Sequence, residues 1–270
     1  MRERRWLVIA VVLVVLLGGG LWITLANSGG GQSESRTAAP ATPASPPPRP
    51  SPGFDLAAWQ LSIPEANDDG NATTIQPATF KAPWLTTTPD NGLMFWAPTA
   101  GATTKNSNHP RTELQSLTYF NAGTGVHTLT ASLTLLQLPQ DGRGIILGQI
   151  HGAGEISSVP YVMLRVQDNR LRVVVKQVGK GNELINYPLL DNVGLNSQID
   201  YTITDLGNGS MTFSATHNGD TRQATAPVPA RFVGKTVRFQ AGDYQQANDS
   251  RGPQDGGRVI FHRLAQQSNQ

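Results

Sequence analysis

The sequence predicts an all-β domain, an antiparallel two-sheet sandwich of jelly-roll, concanavalin-like type, and three observations carry that prediction. From Phe54 onward the chain breaks into short alternating runs of apolar and polar residues, at positions 129–135, 161–166, 171–175, 199–203 and 259–264. Turn dipeptides sit between such runs: Asp168-Asn169, Asn208-Gly209 and Asn218-Gly219. These residue types reach the left-handed backbone region that a tight hairpin needs. No stretch of the region shows the apolar period of an amphipathic helix. Many short strands without interleaved helices pack as two antiparallel sheets. A curved sheet of this kind offers a concave groove to a linear polymer.

Two other regions precede the domain. Residues 6–26 are uncharged and almost wholly apolar, which matches the ~20 residues of a membrane-spanning helix. Arg2, Arg4 and Arg5 stand in front of this run, so the positive-inside rule predicts a cytoplasmic N-terminus and an extracytoplasmic domain. A cleaved signal peptide is the alternative, since Thr24-Leu25-Ala26 resembles a small-residue cleavage site. The run is longer than a usual signal core, which favours a transmembrane anchor over residues 1–26. Residues 27–53 are mostly Gly, Ser, Ala, Thr and Pro, without an aromatic residue. Such a segment buries too little surface to offset its ordering entropy and is predicted to be a disordered spacer. The folded domain is then 54–270, a single-pass membrane protein's outer part or, after cleavage, a secreted protein.

Composition narrows the chemistry. With no cysteine among 270 residues, a disulfide framework, a thiolate nucleophile and a sulfur-bound zinc are all excluded. The basic pI near 9.0 suggests a polyanion partner, yet the excess charge is not in the domain. The first 53 residues hold five Arg and two Glu, which leaves 16 Lys+Arg against 17 Asp+Glu from Phe54 onward. A nucleic-acid partner therefore loses its best argument.

Polar residues two apart on a strand share a face. In Pro110-Arg111-Thr112-Glu113-Leu114-Gln115, the residues Arg111, Glu113 and Gln115 look one way. Gln149 and His151 do so in the run ending at His151. Arg238, Gln240 and Tyr244 share a face in the run from Val237 to Tyr244 if that strand stays regular, with Val237 and Phe239 in the core. Each set alone reads equally as the solvated side of a sheet. Together they place an Arg, a His and a Tyr, without a carboxylate pair, where a site could form.

These residues also carry a resemblance. Arg111-Thr112-Glu113-Leu114, Gln149-Ile150-His151 and Ala241-Gly242-Asp243-Tyr244-Gln245-Gln246 resemble the three signature regions of polysaccharide lyase family 7, the alginate lyases of β-jelly-roll fold. Phe54-Asp55-Leu56 with Trp59 is similar to that family's opening strand. The resemblance implies β-elimination on a 4-linked uronate polymer, with Arg111, Gln149, His151 and Tyr244 as the catalytic quartet. It implies that Arg111 and Gln149 hold the uronate carboxylate, that His151 takes the C5 proton, and that Tyr244 protonates the departing O4. Glu113, Gln115, Arg238, Gln240 and Gln246 are the implied substrate-binding residues. No metal or organic cofactor is required, and a monomer is expected.

Two positions depart from the family pattern. Gln115 stands where a second Arg is usual, and Arg238-Phe239-Gln240 where the family has Tyr-Phe-Lys. Each Gln removes a positive charge from the expected substrate face, so glucuronan stands beside alginate as a candidate polymer. A non-catalytic, lectin-like polyuronate-binding module is a further alternative. A glycoside hydrolase would need two carboxylates across the bond. Past Glu65 the domain's glutamates are Glu113, Glu155 and Glu183, with no Glu-x-Asp or Asp-x-Glu pair. His109, His127, His217 and His262 show no metal-ligand spacing, and Trp59, Trp84 and Trp96 are read mainly as core.

Overall fold

The computed structural model describes residues 54–179 and 181–269, with the backbone of 35–37 and 42–43. In chain order its strands begin with β1 (Ser35–Thr37), β2 (Thr42–Pro43), β3 (Trp59–Ala66), β4 (Ala72–Ile75), β5 (Leu85–Thr87) and β6 (Leu93–Pro98). There follow β7 (Arg111–Ser116), β8 (Phe120–Asn121), β9 (Val126–Gln137), β10 (Ile145–Gly152), β11 (Pro160–Gln167) and β12 (Arg170–Lys176). The last are β13 (Leu184–Leu190), β14 (Gln198–Asp205), β15 (Ser210–His217), β16 (Asp220–Pro227), β17 (Thr236–Gln245) and β18 (Gly256–Asn269). Each run read as a strand from its alternation lies within one of these.

The strands form two sheets. One has the order β1-β13-β12-β11-β10-β17-β7-β3-β4, with β8 also pairing β17; the other is β2-β16-β15-β14-β9-β18-β6-β5. Every pairing between strands of the 54–269 region is antiparallel. Alternation explains the layering. Leu61, Leu114, Ile150, Phe239 and Val173 from the first sheet meet Phe95, Leu133, Tyr201, Phe213 and Phe261 from the second in one buried core. The polar residues between them are left on the outer face of the first sheet.

Local turn chemistry agrees with the residues that form it. Asp168 and Asn169 both have positive φ, 52° and 56°, in the two-residue turn joining β11 to β12. Asn218 and Gly219 do the same between β15 and β16. Asn208-Gly209 lies instead in a wider loop closed by the Leu206 N–H donating to the Ser210 carbonyl at 3.0 Å.

Two short pieces of the predicted spacer 27–53 fall among the described residues. Ser35–Thr37 pairs in parallel with β13, and Thr42–Pro43 pairs with β16. Both additions fall on sheet edges, where unpaired backbone groups accept another strand. The predicted anchor at 6–26 and the rest of the spacer lie outside the described residues. Among the described residues no helix is long and apolar enough to cross a membrane.

Candidate active site

Three adjacent strands bring the sequence-predicted residues together. β7 and β17 pair without a register shift, so Tyr244 lies opposite Arg111 and Gln240 opposite Gln115. On the other side of β17, Gln240 is opposite Gln149 and Arg238 opposite His151. The regular alternation expected for β17 therefore holds across 238, 240 and 244. β10 does not stay regular: its register shifts between Ile146 and Gly148 against both neighbours. The bulge turns Leu147 and Gly148 both towards the core. A side chain at Gly148 would come within 2.7 Å of the Tyr201 hydroxyl, which itself donates to the Leu147 carbonyl at 3.1 Å. Beyond the bulge, Gln149 and His151 return to the outer face.

Gly242 is another position that requires glycine. Its φ is 151°, and a Cβ there would lie 2.6 Å from the Thr112 carbonyl oxygen. Neighbouring Asp243 points the opposite way from Tyr244, into the interior, where its Oδ2 accepts from the Ala97 N–H at 3.2 Å. Burial pushes the Asp243 carboxyl well above the usual range, and the nearby Glu113 charge adds to this.

Beneath the outer surface lies a polar network centred on Glu113, which is fully buried. Arg111 Nη1 donates to Glu113 Oε2 at 2.9 Å, and Gln149 Nε2 donates to Glu113 Oε1 at 2.5 Å. Gln149 Nε2 also donates to Gln240 Oε1 at 3.2 Å. Paired and hydrogen-bonded in this way, the carboxylate offsets part of its desolvation cost. A parallel arrangement orients Arg238: its Nη2 and Gln60 Nε2 each donate to Gln115 Oε1 at 2.7 Å.

Above the network opens a cleft lined by Arg111, Gln115, His151, Arg238, Gln240 and Tyr244, with walls from Thr104, Lys105 and Asn106 and from Ser157 and Ser158. The Arg111 guanidinium lies 3.6 Å from the centroid of the Tyr244 ring. The Tyr244 hydroxyl is hydrogen-bonded to the Ser107 hydroxyl at 2.9 Å. His151 Nδ1–H donates to its neighbour's carbonyl, Gly152 O, at 2.9 Å. A carbonyl only accepts, so the ring proton of neutral His151 is on Nδ1 and Nε2 keeps its lone pair. Burial, with help from the charges of Arg111, Arg238 and Lys176, lowers the His151 pKa to about 4.

Six of the nine sequence-predicted residues thus line the cleft. Glu113 and Gln149 sit under it and shape it from below. Gln246 is not brought in, since its side chain turns back onto the carbonyls of Gln245 and Tyr244. Sequence reading missed Ser107, which is reached only through the loop before β7 and has no periodic signal. It also passed over His109, whose Nδ1–H donates to the Ala247 carbonyl at 2.9 Å and whose ring lies 6.3 Å from that of Tyr244. Tyr119, beside Arg238 at 5.8 Å, was a third omission. Among the described residues no group of His, Asp and Glu is placed to hold a metal.

Comparisons with known proteins bear on this arrangement. A family model described as alginate lyase matches residues 54–268. The fold is similar to a crystal structure of an alginate lyase from Pseudomonas aeruginosa, with a TM-score of 0.68, 27% identity, and coverage of 80% of this chain and 100% of that one. It is also similar to a family 7 alginate lyase, A1-II′, carrying a His-to-Asn and a Tyr-to-Phe substitution and solved in complex with a GGMG substrate. There the TM-score is 0.67 with 28% identity, over 80% of this chain and 94% of that one. A curated alginate lyase of Klebsiella pneumoniae is 36% identical over 77 residues, a stretch that spans 25% of this chain and 25% of the relative.

Proposed function

The chain belongs to the alginate lyase family, polysaccharide lyase family 7, and from that premise we propose that it cleaves a 4-linked polyuronate, alginate in the first instance, by β-elimination. The observation that carries the reading is the convergence of Arg111, His151 and Tyr244 in one cleft above the buried Glu113–Gln149 network.

Elimination removes the C5 proton of a uronate, and its electron pair forms the C4–C5 double bond as the C4–O4 bond breaks and O4 takes up a proton. The C5–H is weakly acidic while the adjacent carboxylate is fully charged. Arg111 answers this by binding that carboxylate, while Glu113 holds one of its nitrogens from below. Donors already aimed at developing charge need no rearrangement during the reaction. Gln149 supplies a second N–H by turning from Gln240, the longer of its two bonds.

His151 Nε2 is the base when the C5 proton lies on the face away from O4. Its depressed pKa keeps it neutral at neutral pH. The arriving carboxylate shifts it back upward, which strengthens the base once substrate is bound. Tyr244, held by Ser107 and the overlying Arg111, delivers the proton to O4. When the C5 proton and O4 are on the same face, Tyr244 serves as both base and acid.

The test is to follow ultraviolet absorbance of the unsaturated product on alginate, polymannuronate, polyguluronate and glucuronan. Alginate and at least one of its blocks are expected to give a rise; absence of a rise on all four would refute the reading. We further propose that residues 6–26 anchor the enzyme with its lyase domain outside the cytoplasm, on the strength of the apolar run behind Arg2, Arg4 and Arg5. Recovery of the full chain in the soluble cytoplasmic fraction would contradict this.

A further inference from the structure

The outer face of the same sheet carries a second group of cations that the elimination chemistry does not use. β11 and β12 pair with Arg165 directly opposite Arg172. Their row continues through Ile146 to Tyr244 and Arg111. At the usual strand spacing, Arg165 is about 10 Å and Arg172 about 14 Å from Tyr244 along that row.

Like charges placed directly opposite each other destabilise a sheet. Both guanidiniums are also partly buried, and neither has an acidic partner within ion-pair distance among the described residues. Arg165 Nη2 donates to the Arg143 carbonyl at 2.6 Å, and Arg172 Nη2 donates to Gln167 Oε1 at 2.6 Å. Both acceptors are neutral. The Nε of each arginine is buried and, among the described residues, has no hydrogen-bond partner. Burial, followed by the charges of Arg172 and Arg143, lowers the Arg165 pKa to about 10, and Asp168 and Asp141 offset only part of this. The neighbouring Arg170 is already paired with Asp191 at 3.4 Å. An apposed pair of forks with carboxylates nearby but none in ion-pair contact is costly to the empty protein and suited to a carboxylate bound across it.

We propose that Arg165 and Arg172 form a carboxylate subsite for the polyuronate chain, remote from the bond that is cut. The subsite rests on the polyuronate reading of the cleft. A hexuronate unit is comparable in length to the strand spacing, so a polymer crossing β7, β17, β10, β11 and β12 would bring successive carboxylates over this row. Arg172 and Arg170 line a depression with Asn186, Pro188 and Asp191 that continues the path, Asp191 being the carboxylate already paired with Arg170.

The test measures binding of long-chain alginate and of alginate trisaccharide to the Tyr244→Phe protein, with and without Arg165→Gln and Arg172→Gln together. The paired changes should weaken long-chain binding at least tenfold, weaken trisaccharide binding less, and flatten the salt dependence of long-chain binding. In the otherwise unaltered enzyme the same changes should raise KM on polymer more than they lower kcat. Arg172→Lys, which keeps charge but loses the fork, should fall between. Melting curves taken alongside separate loss of the subsite from loss of the fold. If long-chain affinity shifts less than twofold in a folded double variant, the subsite is overturned. If the Tyr244→Phe protein binds no polyuronate and the unaltered enzyme cleaves none, the cleft reading falls first and this inference with it.

Discussion

Arg111 lies over Tyr244, its guanidinium carbon 3.6 Å from the ring centroid, while the same guanidinium donates to buried Glu113. One residue therefore fixes the plane of the proposed proton donor and presents a cation to the substrate carboxylate. A cation over an aromatic face contributes roughly 0.5–2 kcal/mol, more as the pair is desolvated. Arg111→Lys keeps the charge and loses both the fork and the flat stack. The expected result is a fall in kcat/KM on alginate of about 100- to 1,000-fold, with a melting temperature lowered by only about a few degrees as the stack is lost. Near-normal turnover in the Lys variant would remove Arg111 from the mechanism.

Glu113 should matter to stability as well as to activity. Glu113→Gln keeps the shape but leaves Arg111 without its counter-charge at a buried position. Breaking one side of a buried pair costs about 3–5 kcal/mol, readable as a drop in the denaturant midpoint. A variant as stable as the parent would mean that the ion pair contributes nothing net.

The His151 environment sets a pH dependence. Its folded pKa of about 4 lies below the ordinary 6.5, so the unfolded chain binds the proton first as pH falls. Stability from this group is therefore present above pH 6.5 and is lost as pH drops towards about 4. For the free enzyme, the acid limb of kcat/KM attributable to His151 should fall near pH 4, and an NMR titration of its ring should agree. A ring that titrates at 6.5 would contradict the partly buried, cation-flanked setting.

Asp243 has the opposite sign. Its carboxyl is raised by burial, so the unfolded chain releases the proton first as pH rises above 3.8, and the folded state loses stability. Asp243→Asn retains an oxygen for the Ala97 N–H and removes the ionisation. The variant should melt higher than the parent, by a margin that widens from pH 4 to pH 8. A margin independent of pH would indicate that Asp243 is charged in the fold.

Much of this site could be read before the fold was seen, for a specific reason. Counting by two put Arg111, Glu113 and Gln115 on one face of their strand and Gln240 and Tyr244 on one face of theirs, and because β7 and β17 pair without a shift these are the same face of the sheet. The bulge at Leu147 and Gly148 would have defeated the same count across β10, but Gln149 and His151 both lie beyond it. Ser107, Lys105 and Asn106 arrive on a loop, where no period exists to reveal a facing side chain. Net charge misled in the other direction. The domain is close to neutral, yet Arg111, Arg238, Arg165 and Arg172 alternate onto one sheet face while acidic residues such as Asp168, Asp191 and Asp220 occupy exposed turns and strand ends. Bulk composition averages over that segregation. Gln246 stays out of the cleft for a local reason: its amide folds back on neighbouring backbone carbonyls.

The central claim is elimination, and the masses of the products test it most directly. Digestion of an alginate oligosaccharide of defined length should give two fragments whose masses sum to that of the substrate, one of them bearing an unsaturated non-reducing end. His151→Ala and Tyr244→Phe should each suppress both fragments. Fragments whose masses sum to the substrate plus one water would show hydrolysis and contradict the account.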